Sequence, residues 1–208
     1  MTRTTKVLVG SALALALGAG GQVAMYHHNA PAAMTVHASW TFSPKSSMEL
    51  RTRAASIVLA RVVAVNAGPD IITKQAAEPD GVDRIPTSRV TVSVISTYKG
   101  SASAGQRLTL FQTGGTTSLP AAPAKGDKSA TSHVQQVVLE GDPAYRKGEE
   151  YLLMLEAGPE GTLRPVSPEG RYRVDSSNGA LTAMVSNEMT KQLTAQRLSA
   201  LEPSLRTG

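Results

Sequence analysis

The chain has 208 residues and no cysteine, and its only aromatics are one Trp, five Tyr and two Phe. It carries 21 Lys and Arg against 16 Asp and Glu, a formal net charge of +5. These figures exclude a disulfide framework, a cysteine-ligated metal site and a thiol nucleophile, and at 18% charged and 41% apolar residues they exclude a charged disordered tail and a multi-span membrane protein.

The amino terminus reads as an export signal. Arg3 and Lys6 precede an apolar run from Val7 to Leu17, a Gly-rich stretch follows, and the first acidic residue is Glu49. Small residues at Ala19-Gly20-Gly21 and Ala30-Pro31-Ala32 suit a signal peptidase, and the second site is preferred, which assigns residues 1–32 to a signal peptide. Left uncleaved, residues 7–26 are long enough to anchor the chain in a membrane. Either way the sequence places the remainder outside the cytoplasm, because the basic terminus stays inside. With residues 1–32 removed, 19 basic and 16 acidic residues remain, a net +3 that gives no reason to expect nucleic-acid binding.

Residues 33–45 read as a linker. Ser46-Ser47-Met48-Glu49 has the form of a capping box and opens a short helix to about Ala55, with Met48, Leu50, Ala54 and Ala55 on its covered side. Ile57 to Val65 is a β-branched run that suits a strand buried on both faces or in a closed barrel. Residues 68–87 hold three prolines and read as a long loop. Val90, Val92 and Val94 alternate with Arg89, Thr91 and Ser93 in a half-buried strand that closes at Lys99-Gly100. Arg107–Thr113 is a third strand, and residues 114–132 form an aperiodic, flexible excursion. His133–Leu139, Glu150–Leu155, Thr162–Val166 and Arg171–Val174 are further strands, and Asn178-Gly179 marks a tight turn before a last short strand, Ala180–Ala183. Residues 186–201 have the propensity of a helix. The expected core is Val90, Val92, Val94, Leu108, Leu110, Tyr151, Leu153, Leu155 and Val174.

Short strands with helices only at the ends indicate an all-β barrel domain over residues 46–184, with a carboxy-terminal helix and tail over 185–208. Within it, Tyr98-Lys99-Gly100 ends a valine strand, and Tyr145-Arg146-Lys147-Gly148-Glu149-Glu150-Tyr151 leads into another. This pattern resembles netrin-like domains, the OB-type barrel of the tissue inhibitors of metalloproteinases. With Gly114-Gly115 and Gly141-Asp142-Pro143 it also resembles bacterial exported proteins of unassigned function. The resemblance covers about residues 46–175. It implies an OB-type barrel in which Lys99, Gly100, Gly148, Glu149 and Tyr151 are structural motif residues. Netrin-like inhibitors place an amino-terminal cysteine on the protease zinc, so no inhibitory residue carries over to this chain.

Met25-Tyr26-His27 would chelate Cu(II) or Ni(II) only behind a free amine created after Ala24. His133 stands near Ser129, Ser132, Asp127 and Glu140, but no nucleophile elbow accompanies them. Glu140, Asp142, Glu149 and Glu150 read as solvated turn carboxylates without a calcium-loop pattern. Arg171 and Arg173 share one strand face, with Arg164 on a neighbouring strand. This basic stripe reads by default as a solvated outer face, and it is the candidate binding surface. The sequence therefore points to an exported, non-enzymatic interaction module with no cofactor and no metal. Its expected partner is an extracellular or envelope protein. The alternatives are a netrin-like protease-inhibitor role, and a hydrolase or metal-binding protein using the loop from Gly114 to His133.

Overall fold

The computed structural model describes residues 33–36, 42–74, 82–119 and 133–207. The signal or anchor segment, His27, His28, His37, and Asp127, Ser129 and Ser132 of the excursion lie outside the described residues. Among the described residues, no helix is long and apolar enough to cross a membrane.

The elements in chain order are β1 (Ala33–Val36), α1 (Ser47–Arg53), β2 (Ser56–Ala67), β3 (Ile71–Lys74), β4 (Val82–Ile85), β5 (Thr87–Lys99) and β6 (Arg107–Thr113). There follow β7 (Gly115–Leu119), β8 (His133–Leu139), β9 (Glu150–Ala157), β10 (Leu163–Pro165), β11 (Arg171–Val174), β12 (Leu181–Ala183), α2 (Glu188–Thr194) and α3 (Leu198–Arg206). Five strands close a barrel in the order β2-β5-β6-β10-β9 and back to β2. Only β6 and β10 run parallel; every other neighbouring pair in the ring is antiparallel. Numbered along the chain, the ring reads first, second, third, fifth, fourth, which is an OB-like order. The long strands β2 and β5 bend to close it through register shifts at Ile57/Val58, Leu59/Ala60 and Val62/Ala64.

The apolar run of β2 is explained by two cores. Val58, Ala60 and Val62 point into the barrel with Val90, Val92, Val94 and Leu110 of β5 and β6 and with Tyr151, Leu153 and Leu155 of β9. Ile57 and Leu59 point outward with Leu152 and Met154, under Leu50, Met189, Leu193, Leu198, Leu201 and Leu205 of the three helices. The register pairs Ile57 with Met154 and Val58 with Leu153, so β2 and β9 present matching faces to each core. Of the residues expected in the core, Leu108 is only partly buried and Val174 joins the helix-side cluster.

The helices differ in detail from the sequence reading. In α1, Ser46 Oγ accepts from the Glu49 N–H at 3.1 Å, but Glu49 returns its bond to the N–H of Lys45 at 2.8 Å. Leu50 and Ala54 are buried, whereas Met48 is 67% exposed, since a 3.6-residue turn sets positions two apart on opposite sides. The Lys99 ammonium caps the far end, donating to the carbonyls of Arg51 at 2.9 Å and Thr52 at 3.3 Å. The single carboxy-terminal helix becomes two. Leu198 N–H bonds the Gly179 carbonyl at 2.9 Å and Arg197 bridges Ala180, so tertiary pairing interrupts the helix. The described residues cluster as one compact unit, so these helices belong to the barrel domain.

The loops also hold more order than expected. Residues 33–36 of the expected linker form β1, which pairs in parallel with β8. β3 and β4 make a hairpin inside the expected loop 68–87. β7 occupies the start of the expected excursion and pairs with β8. Gly114-Gly115 carries the chain from barrel strand to this second sheet. Gly114 has φ +100°, and a Cβ there would lie 2.8 Å from the Val137 carbonyl oxygen; at Gly115 it would lie 2.9 Å from the Thr87 carbonyl oxygen. The backbones pass too closely for any side chain.

If both cores belong to one cooperative unit, Leu153→Ala and Leu205→Ala will each lose about 2–5 kcal/mol in denaturant unfolding. A Leu205→Ala chain as stable as the parent would show that α3 is not part of that unit.

Candidate binding cleft at the barrel mouth

The two halves of one β9 edge are used by different strands. β10 pairs with Leu155 to Ala157, and β11 pairs with Glu150 to Leu153. Between them Pro168–Gly170 forms a single 3-10 turn. β10 reaches β6 and closes the barrel, whereas β11 turns to β12. The face of β11 that continues the barrel interior therefore lines an opening. Arg171 stands there, opposite Leu153 in the register, and Arg173 is opposite Tyr151.

The opening is a cleft of about 620 Å³ walled by β8, the chain from Pro143 to Arg146, β9, β11 and the β12 end. Arg171 is 1% exposed, so the expected solvated face is corrected at this residue. Its guanidinium carbon lies 3.6 Å from the centre of the Tyr145 ring and 4.9 Å from that of Tyr151. The two rings meet edge to face at 5.0 Å. Arg171 Nη1 donates to Asp142 Oδ1 at 2.7 Å. Asp142 is held by its loop: its N–H bonds the Leu139 carbonyl at 3.0 Å, and buried Gln112 donates to the Asp142 and Pro143 carbonyls at 3.2 and 3.0 Å. Arg171 Nε and Nη2 are buried with no hydrogen-bond partner among the described residues. A buried charge with open donors is costly, so this arrangement needs a reason.

The rim is built from the Gly-Glu turn. Gly148 adopts φ +88°, its N–H bonds the Val62 carbonyl at 2.9 Å, and Val62 N–H bonds the Glu149 carbonyl at 2.9 Å. This fixes Glu149 beside the cleft, where it accepts from the Tyr151 hydroxyl and from Arg173 Nη1 at 3.5 Å. Arg146 adds an exposed cation.

Burial raises the Asp142 carboxyl against the opposing pull of the Arg171 charge. Burial works to lower the Arg171 value, but Tyr145, Asp142 and Tyr151 together leave it raised, so the guanidinium stays charged. Tyr145 is raised by burial, and Tyr151 by burial and its bond to Glu149.

Of the sequence candidates, Arg171 and Arg173 share this cleft. Arg164 does not: it pairs with Glu156 at 2.9 Å on β10, where Arg53 shares the same carboxylate group. Lys99 caps the end of α1, and Gly100, at φ +95°, lies against Ala55 and Ser56 at the start of β2. Glu149 and Tyr151, expected as structural motif residues, line the cleft as well as supporting it. The turn carboxylates are counter-ions in part: Asp142 to Arg171, Glu149 to Arg173, and Glu150 to Arg61. Tyr145 and Arg146 were not singled out as site residues. His133 begins β8 as expected, and its side chain is outside the described residues. Among the described residues there is no group of three His, Cys, Asp or Glu that could hold a metal ion. Comparison of the chain with protein-family models, with curated proteins and with solved structures finds no match.

The tyrosines supply a pH test. Tyr98 is pushed up to about 12 by burial and by Glu202, and Tyr145, Tyr151 and Tyr172 are also raised. A phenol whose folded pKa is raised contributes stability that is complete below about 10 and is lost as pH climbs through the raised value. An alkaline absorbance titration should show these four ionising late, together with loss of the fold. Ionisation at an ordinary midpoint while the fold persists would contradict their burial.

Proposed function

We propose that the chain is an exported, non-enzymatic binding module of the cell envelope or extracellular space that holds its partner through an anionic group seated in the Arg171 cleft. Export rests on the basic and apolar pattern of the first 32 residues. The observation that carries the binding reading is Arg171, a buried cation in a cleft wall with two nitrogens that have no hydrogen-bond partner among the described residues. Around it, Arg146 and Arg173 outnumber Glu149 among the described charged rim groups. The cleft chemistry favours holding over turnover. An arginine does not exchange protons near neutral pH, and the tyrosines beside it are kept as neutral phenols. The OB-like strand order supports the finer likeness to netrin-like barrels. The cysteine-free sequence separates the chain from zinc-directed inhibition.

Arg146 and Arg173 are exposed, so Arg146→Glu/Arg173→Glu changes the rim without disturbing a core. Immobilised parent chain should retain an envelope component that this variant retains at least about tenfold less, and added salt should weaken the parent's capture. Equal retention by both chains would remove the cleft from the function.

A further inference from the structure

The two unpartnered nitrogens of Arg171 define a shape as well as a charge. In a guanidinium, Nε–H and one Nη2–H point in parallel from the same edge, while Nη1 lies on the other side. Nη1 is the nitrogen used by Asp142, so the edge that remains is a two-toothed fork beside the Tyr151 phenol, with no partner in hydrogen-bond geometry among the described residues. The two oxygens of a carboxylate match such a fork in one plane. We infer that this edge is the seat of a carboxylate, carried by a ligand with an apolar body. This rests on the binding-module reading of the same cleft and adds its ligand class.

Charge selects among anions. Among the described residues, the lining cations Arg146, Arg171 and Arg173 exceed the lining Glu149 and the Arg171 partner Asp142 by one positive charge. A carboxylate monoanion cancels it. A phosphate monoester, at about −1.5 to −2 near neutral pH, would leave the cleft negative. The remaining wall suits a small apolar group, with Val138, Ala144, Ala183 and Met184 lining it. The fork is closed to solvent in this structure, so a ligand reaches it only as the wall yields. Arg173 is half exposed and meets Glu149 at 3.5 Å on the cleft wall. A carboxylate seated there satisfies both open donors and leaves water behind, which strengthens each bond.

The test needs no variant that risks the fold. The isotope-labelled chain is followed by nuclear magnetic resonance at the Arg171 Nε–H while acetate, benzoate or inorganic phosphate is added at matched ionic strength. A short apolar peptide with a free carboxy terminus, and the same peptide amidated, separate a chain terminus from a free acid. The Arg171 signal should shift saturably with benzoate, more weakly with acetate, and at least about tenfold more weakly with phosphate. A stronger response to the free-terminus peptide than to benzoate would assign the carboxylate to a chain end; benzoate binding with no response to either peptide would assign it to a free acid, and an equal response to both peptides would overturn the inference. No saturable shift with any carboxylate overturns the inference, as does a phosphate response equal to that of benzoate. An Nε–H held by a resident water and unmoved by every anion overturns it too. An envelope partner lost in Arg146→Glu/Arg173→Glu, with an unresponsive Arg171, would overturn the carboxylate assignment and leave the module reading standing. Saturable benzoate binding with no such partner would do the reverse.

Discussion

The arrangement depends on one edge of β9 serving two strands. β10 takes the half of that edge that leads to β6, and the barrel closes there by the single pair Leu163 and Leu110. β11 takes the other half and is led away to β12. A five-strand ring can accept only one of them, so the interior face of β11 has no opposing wall in the ring. Arg171 stands in the wall of that opening, with its flat group against Tyr145 and its charge against Asp142. The cleft is thus a consequence of how the barrel closes.

That closure also sets the division of labour between the cores. β2 and β9 are apolar on both faces because each separates the barrel interior from the helix-covered outside. The helices are small, and α1 and α2 have seven residues each, too few to persist alone. They are held by packing on Leu152 and Met154 and by polar ties at their ends. These ties include the Lys99 cap on α1, the contact of Arg51 with the Ser204 carbonyl, and the capping box of Asn187 and Thr190. With no cysteine in the chain, such packing carries the stability.

Much of the barrel was legible in the sequence. The alternation of Val90, Val92 and Val94, the two-faced runs of β2 and β9, and the turn at Gly148-Glu149 each reflect local physics. What was not legible depended on distant partners. Ile71 and Ile72 in β3 remain exposed, so no alternation marks the β3–β4 hairpin. β7 is Thr- and Ser-rich and is a strand because β8 lies beside it. The break between α2 and α3 comes from Gly179 and Ala180. In the cleft, the pairing of Arg171 and Arg173 on one face could be read, but not that this face continues a barrel interior. Asp142 stands 29 residues before Arg171, and Tyr145 26 before it, so neither partner lies within the period of a strand or a turn. The register of Arg171 against Leu153 is the missing datum, and only the fold supplies it.

The central claim is that Arg171 is a buried cation held at the barrel mouth by Asp142. A double-mutant cycle in denaturant unfolding, with Arg171→Met, Asp142→Asn and both together, measures that contact directly. Removing Arg171 alone leaves the Asp142 carboxylate buried and should cost about 3–5 kcal/mol, with the double substitution recovering part of the loss. The account predicts a coupling above about 1 kcal/mol. Strictly additive losses, with Arg171→Met no costlier than a surface substitution, would contradict it.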